Sequence, residues 1–127
     1  MNPTAQKWVE QARYDLDTAR AMLASARYLY VLFCCQQAVG KALKGLIVER
    51  TGEFPPRIHS LPRLAEALQL EVKADEIDFL AELSVFYVQT RYPEQLESLA
   101  IADTSAKAEA TLRRTEETVQ WLFSMLK

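Results

Sequence analysis

Three short stretches of this chain carry residue types able to do chemistry. The first is Gln37, Lys41 and Lys44, spaced i, i+4 and i+7. On a helix that spacing puts all three on one face, and two ammonium groups one turn apart on an otherwise apolar surface can hold a phosphate. The alternative is the wet edge of a buried helix, with aliphatic stems packed and charges in water. The second is His59, the single histidine, between Arg57 and Ser60 and just ahead of a helix start. Imidazole suits proton transfer near neutral pH, and a helix N-terminus gathers free amide donors and a positive dipole end. Arg57 and Ser60 add donors for a phosphate there; the alternative is a loop ring that packs or caps locally. The third is Arg91-Tyr92-Pro93, where a guanidinium and an aromatic ring at a rigid turn can clamp a phosphate and stack a base. Otherwise Tyr92 fills the end of the fold while Arg91 pairs with a nearby acid. The candidate ligand-binding residues are therefore Lys41, Lys44, Arg57, His59, Arg91 and Tyr92. For catalysis only His59 and Arg91 are candidates, and together they do not complete a catalytic constellation.

Other chemistries lack their parts. The chain has no GxxxxGK[ST] loop, no GxGxxG and no HExxH, so the common nucleotide-loop and zinc-protease arrangements are excluded. Cys34 and Cys35 are adjacent; on a helix they point about 100° apart and do not bridge each other. In an apolar stretch they read as buried, reduced thiols without the electropositive setting a nucleophile needs. One histidine and two cysteines do not supply a zinc site, and no cofactor is expected. The acids from Glu71 to Glu82 read as a solvated helix face, with no two singled out for acid–base work.

The elements that must position these residues are helical. A chain of 127 residues is the size of one domain, expected to span residues 1–127. Half of it is hydrophobic and a quarter charged, with only three glycines and five prolines. Few turns in that length mean long elements. Trp8, Ala12, Leu16, Ala19 and Leu23 share a face and predict a helix from about Thr4, as cap, to Ala24. A second, apolar on most sides, is predicted from about Arg27 to Arg50; such a helix sits at the centre of a bundle or in a dimer interface. Gly52 and Pro55-Pro56 end it. Ser60 caps a short helix to about Leu68, and a fourth covers about Ala74 to Gln89, burying Ile77, Leu80, Leu83, Phe86 or Tyr87, and Val88. Arg91–Asp103 reads as a long loop or a loop with a brief helical turn around Leu96. The last helix runs from about Thr104 to Leu126, with Ala108, Leu112, Thr115, Val119, Leu122 and Leu126 on its seam. The fold class predicted is all-α, an up-down bundle of four long helices plus one short one.

Bulk charge is −2, which gives no general attraction to nucleic acid. Its distribution is uneven. Residues 41–63 hold five cations against two acids, a local +3, while residues 66–103 hold nine acids against two cations, a local −7. That suits a discrete phosphate site or a charge-complementary partner. Charged residues interrupt the N-terminal segment, and the longest uninterrupted apolar stretch, Tyr28–Cys35, is too short to span a bilayer. A cytoplasmic protein with no membrane association is expected.

The segment Tyr30–Lys44, read Y-V-L-F-C-C-Q-Q-A-V-G-K-A-L-K, resembles the A-x-F-x-x-Q-Q-A-x-E-K-x-L-K helix of HEPN-domain proteins. His59-Ser60-Leu61 followed by Leu64 is similar to that family's H-x-L-x-x-L, and Arg91-Tyr92-Pro93 to its R-Y-P turn. Ala12, Asp15, Leu16 and Ala19 resemble its opening helix, so the likeness spans nearly the whole chain. It implies a helical bundle, usually a homodimer and often paired with a small nucleotidyltransferase in a toxin–antitoxin-like arrangement. It also implies association with nucleotides or RNA. Some members are RNases using an arginine and a histidine separated by four to six residues. Here those positions before His59 are Gly52, Glu53 and Phe54, so that activity is not expected. A second departure is Gly40, where the family commonly has glutamate; it weakens the helix by about 1 kcal/mol relative to alanine and offers room for close approach of another helix. The leading expectation is an accessory module binding a nucleotide or RNA phosphate. The alternatives are a pure dimerisation or partner-interaction protein without ligand, and a ribonuclease.

Overall fold

The computed structural model describes residues 1–89, 92 and 104–126. Helix α1 spans Pro3–Ala24. Its cap is Asn2 rather than Thr4: the Asn2 side chain accepts hydrogen bonds from the amides of Thr4 and Ala5 at 2.7 and 3.3 Å. Pro3 explains the shift, since its fixed φ and missing N–H suit a first helical position. The buried face is Ala5, Val9, Ala12, Leu16 and Ala19, so the stripe is rotated from the expected one and Trp8 lies at its half-buried edge. The helix ends with Ala26 at φ 59°, the amide of Arg27 donating to the Met22 carbonyl at 2.8 Å and that of Ala26 to Leu23 at 3.1 Å, which satisfies two orphan carbonyls of the last turn.

Helix α2, Tyr28–Thr51, is the hub: 13 of its residues are buried and it packs against all the other helices. By length and composition alone it could cross a membrane, yet 72% of its most apolar window is buried inside the bundle. Its apolar excess is thus used within one chain, and the dimer interface that this excess implied in the sequence is not needed to cover it. Gly52, at φ 71° in the left-handed region, closes the helix.

Among the described residues three further helices follow: α3 at Leu61–Ala67, α4 at Ala74–Gln89 and α5 at Thr104–Phe123. Ser60 caps α3 as expected, accepting from the Arg63 amide at 3.4 Å. Helix α4 buries Phe79, Leu80, Leu83 and Phe86, whereas Ile77 is 37% exposed; the side chain of Val88 lies outside the described residues. On α5 the expected seam holds through Leu122, while Leu126 is only partly buried beyond the helix end.

Cross-helix contacts fix the topology. The Asn2 amide donates to Glu49 Oε1 at 2.8 Å and Asp15 meets Lys41, so α1 and α2 run antiparallel. Arg20 pairs with Glu116 at 2.7 Å and the Arg13 guanidinium covers the Phe123 ring, making α5 antiparallel to α1. Arg114 pairs with Asp75 and Glu76, and Lys107 with Glu82, making α4 antiparallel to α5. The result is an all-α up-down bundle of four long helices with the short α3 wedged against α2 and α4.

Candidate anion-binding cleft

Helix α2 presents Gln36, Gln37, Gly40, Lys41 and Lys44 toward one hollow, because residues three and four apart share a face. Trp8 and Gln11 of α1 form the second wall, and Ile58, His59, Leu61 and Leu64 the third; the cleft encloses about 250 Å³. The segment bearing His59 is held at both ends. Gln36, 2% exposed, donates from Nε2 to the His59 carbonyl at 3.3 Å, and its Oε1 accepts from Gln37 Nε2 at 2.8 Å. The Leu61 amide donates to Ser84 Oγ on α4 at 2.8 Å. The His59 ring stacks on Tyr87, centroids 3.8 Å apart and planes at 13°, while Phe33 lies on that tyrosine at 6.3 Å.

The two lysines differ in electrostatic state. Lys41 Nζ is 2.8 Å from Asp15 Oδ2, both side chains about one-fifth exposed. That carboxylate oxygen is buried and receives the ammonium off the direction of a hydrogen bond, so the contact is an ion pair without a directed bond. Lys44 has no carboxylate in ion-pair range among the described residues; its ammonium lies 5.6 Å from the centre of the Trp8 ring. Burial, and then the nearby Lys41 charge, hold the Lys44 ammonium below its ordinary pKa. A group in that state gains from an anion.

Of the sequence candidates, Lys41, Lys44 and His59 therefore meet in one cleft. Arg57 is exposed and Tyr92 is 48% exposed; neither lines it. Arg91, Pro93 and the residues from there to Asp103, expected to form a loop, lie outside the described residues. Trp8, Gln11 and Gln36 were not singled out in the sequence, nor was Asp15 as the partner of Lys41, nor Tyr87 as the support of His59. The thiols are poor nucleophiles: burial pushes Cys34 up to about 11 and Cys35 up to about 12. Gly40 faces Leu61 across the cleft with ordinary room for a Cβ; close helix approach belongs to Gly45 instead, where a Cβ would sit 3.3 Å from that of Trp8. Among the described residues no group of three or more His, Cys, Asp or Glu side chains could hold a metal ion.

Comparison with known proteins agrees with this architecture. No functionally curated protein matches the chain significantly. Two crystal structures superpose over almost its whole length. The protein TT1696 from Thermus thermophilus has 30% identity and a TM-score of 0.83, covering 99% of this chain and 100% of its own. ST0689, described as an archaeal HEPN homologue, has 26% identity and a TM-score of 0.76, covering 97% and 98%. The family model for the HEPN domain matches residues 5–125, and this chain belongs to the HEPN domain family.

Proposed function

We propose that this HEPN domain is an accessory binding module that seats the phosphate of a nucleotide or RNA in the cleft between α1, α2 and the His59 segment. The observation that carries this is the Lys44 ammonium, desolvated, beside a second lysine and without a carboxylate partner among the described residues. Two glutamine amides and His59 stand around it, so an entering phosphate meets both charge and hydrogen-bond donors. Gly40 contributes by omission: a glutamate there would place a carboxylate on the cleft wall beside both lysines. Pairing with a nucleotidyltransferase, in a toxin–antitoxin-like arrangement, and homodimerisation are carried by family membership rather than by a particular surface of this chain.

In the ligand-free alternative, acidic α4 and the stretch after it would be the surface that meets a partner. Asp75, Glu76 and Glu82 are engaged by Arg114 and Lys107 within the bundle, which leaves less of that charge for a partner and favours the cleft. The ribonuclease alternative needs Arg91 to act with His59, and Arg91 lies outside the described residues; RNA cleavage lost in His59→Ala would favour it. Titration with labelled nucleoside phosphates and short RNA at low salt tests the proposal. The Lys41→Ala/Lys44→Ala variant should lose at least tenfold in affinity while melting cooperatively; unchanged binding overturns it.

A further inference from the structure

A second hollow adjoins the cleft along α1. It is lined by Lys7, Glu10, Gln11, Tyr14, Asp15 and Lys41 and holds about 570 Å³. Gln11 and Lys41 line both, so the two are compartments of one groove with the Lys41–Asp15 pair on their shared wall. Their characters differ. The first has Lys44 without a counter-charge among the described residues. In the second, Lys7 and Lys41 are balanced by Glu10 and Asp15, so it has no surplus attraction for a phosphate. What it offers is the ring of Tyr14, 73% exposed, on a face of α1 that no described element covers, together with carboxylate and amide acceptors.

We infer that the groove takes a nucleoside phosphate in one direction, with the phosphate at Lys44 and the nucleobase stacked on Tyr14. This rests on the cleft being a phosphate site. Trp8 lies against Lys44 and Tyr14 stands six residues further along α1, an axial rise of about 9 Å at 1.5 Å per residue. That is comparable to the reach from phosphate to base in one nucleotide. A planar base gains from an aromatic face irrespective of its identity, while Gln11, Glu10 and Asp15 can accept hydrogen bonds from ribose hydroxyls or exocyclic amines. Tyr14 is then a specificity-determining residue that separates nucleotides from simpler phosphates.

The test uses the full chain carrying Trp121→Phe, so that Trp8 on the cleft wall reports occupancy by fluorescence. The probes are inorganic phosphate, ribose 5-phosphate, adenosine 5′-monophosphate and uridine 5′-monophosphate. Both nucleotides should bind more tightly than ribose 5-phosphate. Tyr14→Ala should weaken the nucleotides by about 10- to 100-fold and leave inorganic phosphate and ribose 5-phosphate unchanged, with Tyr14→Phe close to the parent. Nucleotides binding no better than ribose 5-phosphate, or Tyr14→Ala weakening all four probes alike, overturns the stacking site while leaving the phosphate cleft standing. Binding of every probe unaffected by Lys44→Ala, or no binding at all, removes the phosphate cleft and the stacking site with it.

Discussion

Asp15→Asn should pull stability and anion affinity in opposite directions. The carboxylate lies 2.8 Å from Lys41 Nζ, and the side chains are 18% and 23% exposed. Exposed pairs contribute at most about 1 kcal/mol, and breaking a fully buried pair costs roughly 3–5 kcal/mol; this one, nearer the buried end, should cost about 2 kcal/mol when the acid is neutralised. For a domain of this size that is a fall of roughly 6 °C in Tm. The same change removes the negative charge paired with Lys41 beside the cleft. A phosphate seated at Lys44 and reached also by Lys41 would sit roughly 6 Å from that carboxylate, across the Lys41 ammonium; at an effective dielectric constant of about 40 their repulsion is about 1.4 kcal/mol, a tenfold change in affinity. Urea unfolding of parent, Asp15→Asn, Lys41→Met and the double variant isolates the pair, and phosphate titration of the first two measures the affinity. A coupling energy near zero in that cycle refutes the pair as a stabilising contact. Weaker phosphate binding by Asp15→Asn would mean that the acid positions Lys41 for the anion instead of competing with it.

The cysteines make stability fall at high pH. Both thiols are raised above the ordinary value of 9.0, to about 11 and about 12, so between pH 9 and 11 the folded chain holds protons the unfolded chain has released. Stability is then complete below pH 9 and is lost as pH rises; Lys44, lowered, acts in the opposite sense below 10.5. The urea midpoint should drop between pH 8 and pH 10.5 by more in the parent than in Cys34→Ala/Cys35→Ala, and equal drops would show the thiols to be uninvolved. The two buried glycines of α2 should respond differently to alanine. At Gly40 the new Cβ meets Leu61 at an ordinary 3.5 Å, while at Gly45 it meets the Trp8 Cβ at 3.3 Å. Both gain about 1 kcal/mol of helix propensity, so Gly40→Ala should raise the urea midpoint and Gly45→Ala should fall at least 1 kcal/mol short of it; equal gains would mean α1 yields freely.

The helices were legible because burial and chain punctuation act locally. Gly52 and Pro55-Pro56 stop α2 whatever surrounds it, and Ser60 caps α3 through a hydrogen bond three residues away. Errors appear where a position depends on a neighbour. Trp8 is large and apolar, and by composition it belongs in the core; the core instead takes Ala5 and Val9 there, where α1 closes on Gly45. A tryptophan displaced to the rim by that close approach becomes a wall of the cleft. Ile77 follows the same logic: the register of α4 that buries Phe79 and Leu83 turns it outward.

The site was half legible for a related reason. Lys41, Lys44 and His59 announce themselves by residue type, but whether a cation is available to a ligand depends on what faces it, and that is set by the α1–α2 register. Two lysines three residues apart on one helix look equivalent in the sequence. In the bundle the antiparallel pairing sets Asp15 opposite the first and Trp8 opposite the second. An aromatic ring attracts an ammonium without neutralising it, so Lys44 stands partly desolvated with no carboxylate beside it among the described residues, while Lys41 is balanced. The difference between the two, rather than their number, is what gives the groove a direction. It makes Lys44→Ala the more damaging single substitution for phosphate affinity, and a larger loss from Lys41→Ala would reverse the assignment of the anion's seat.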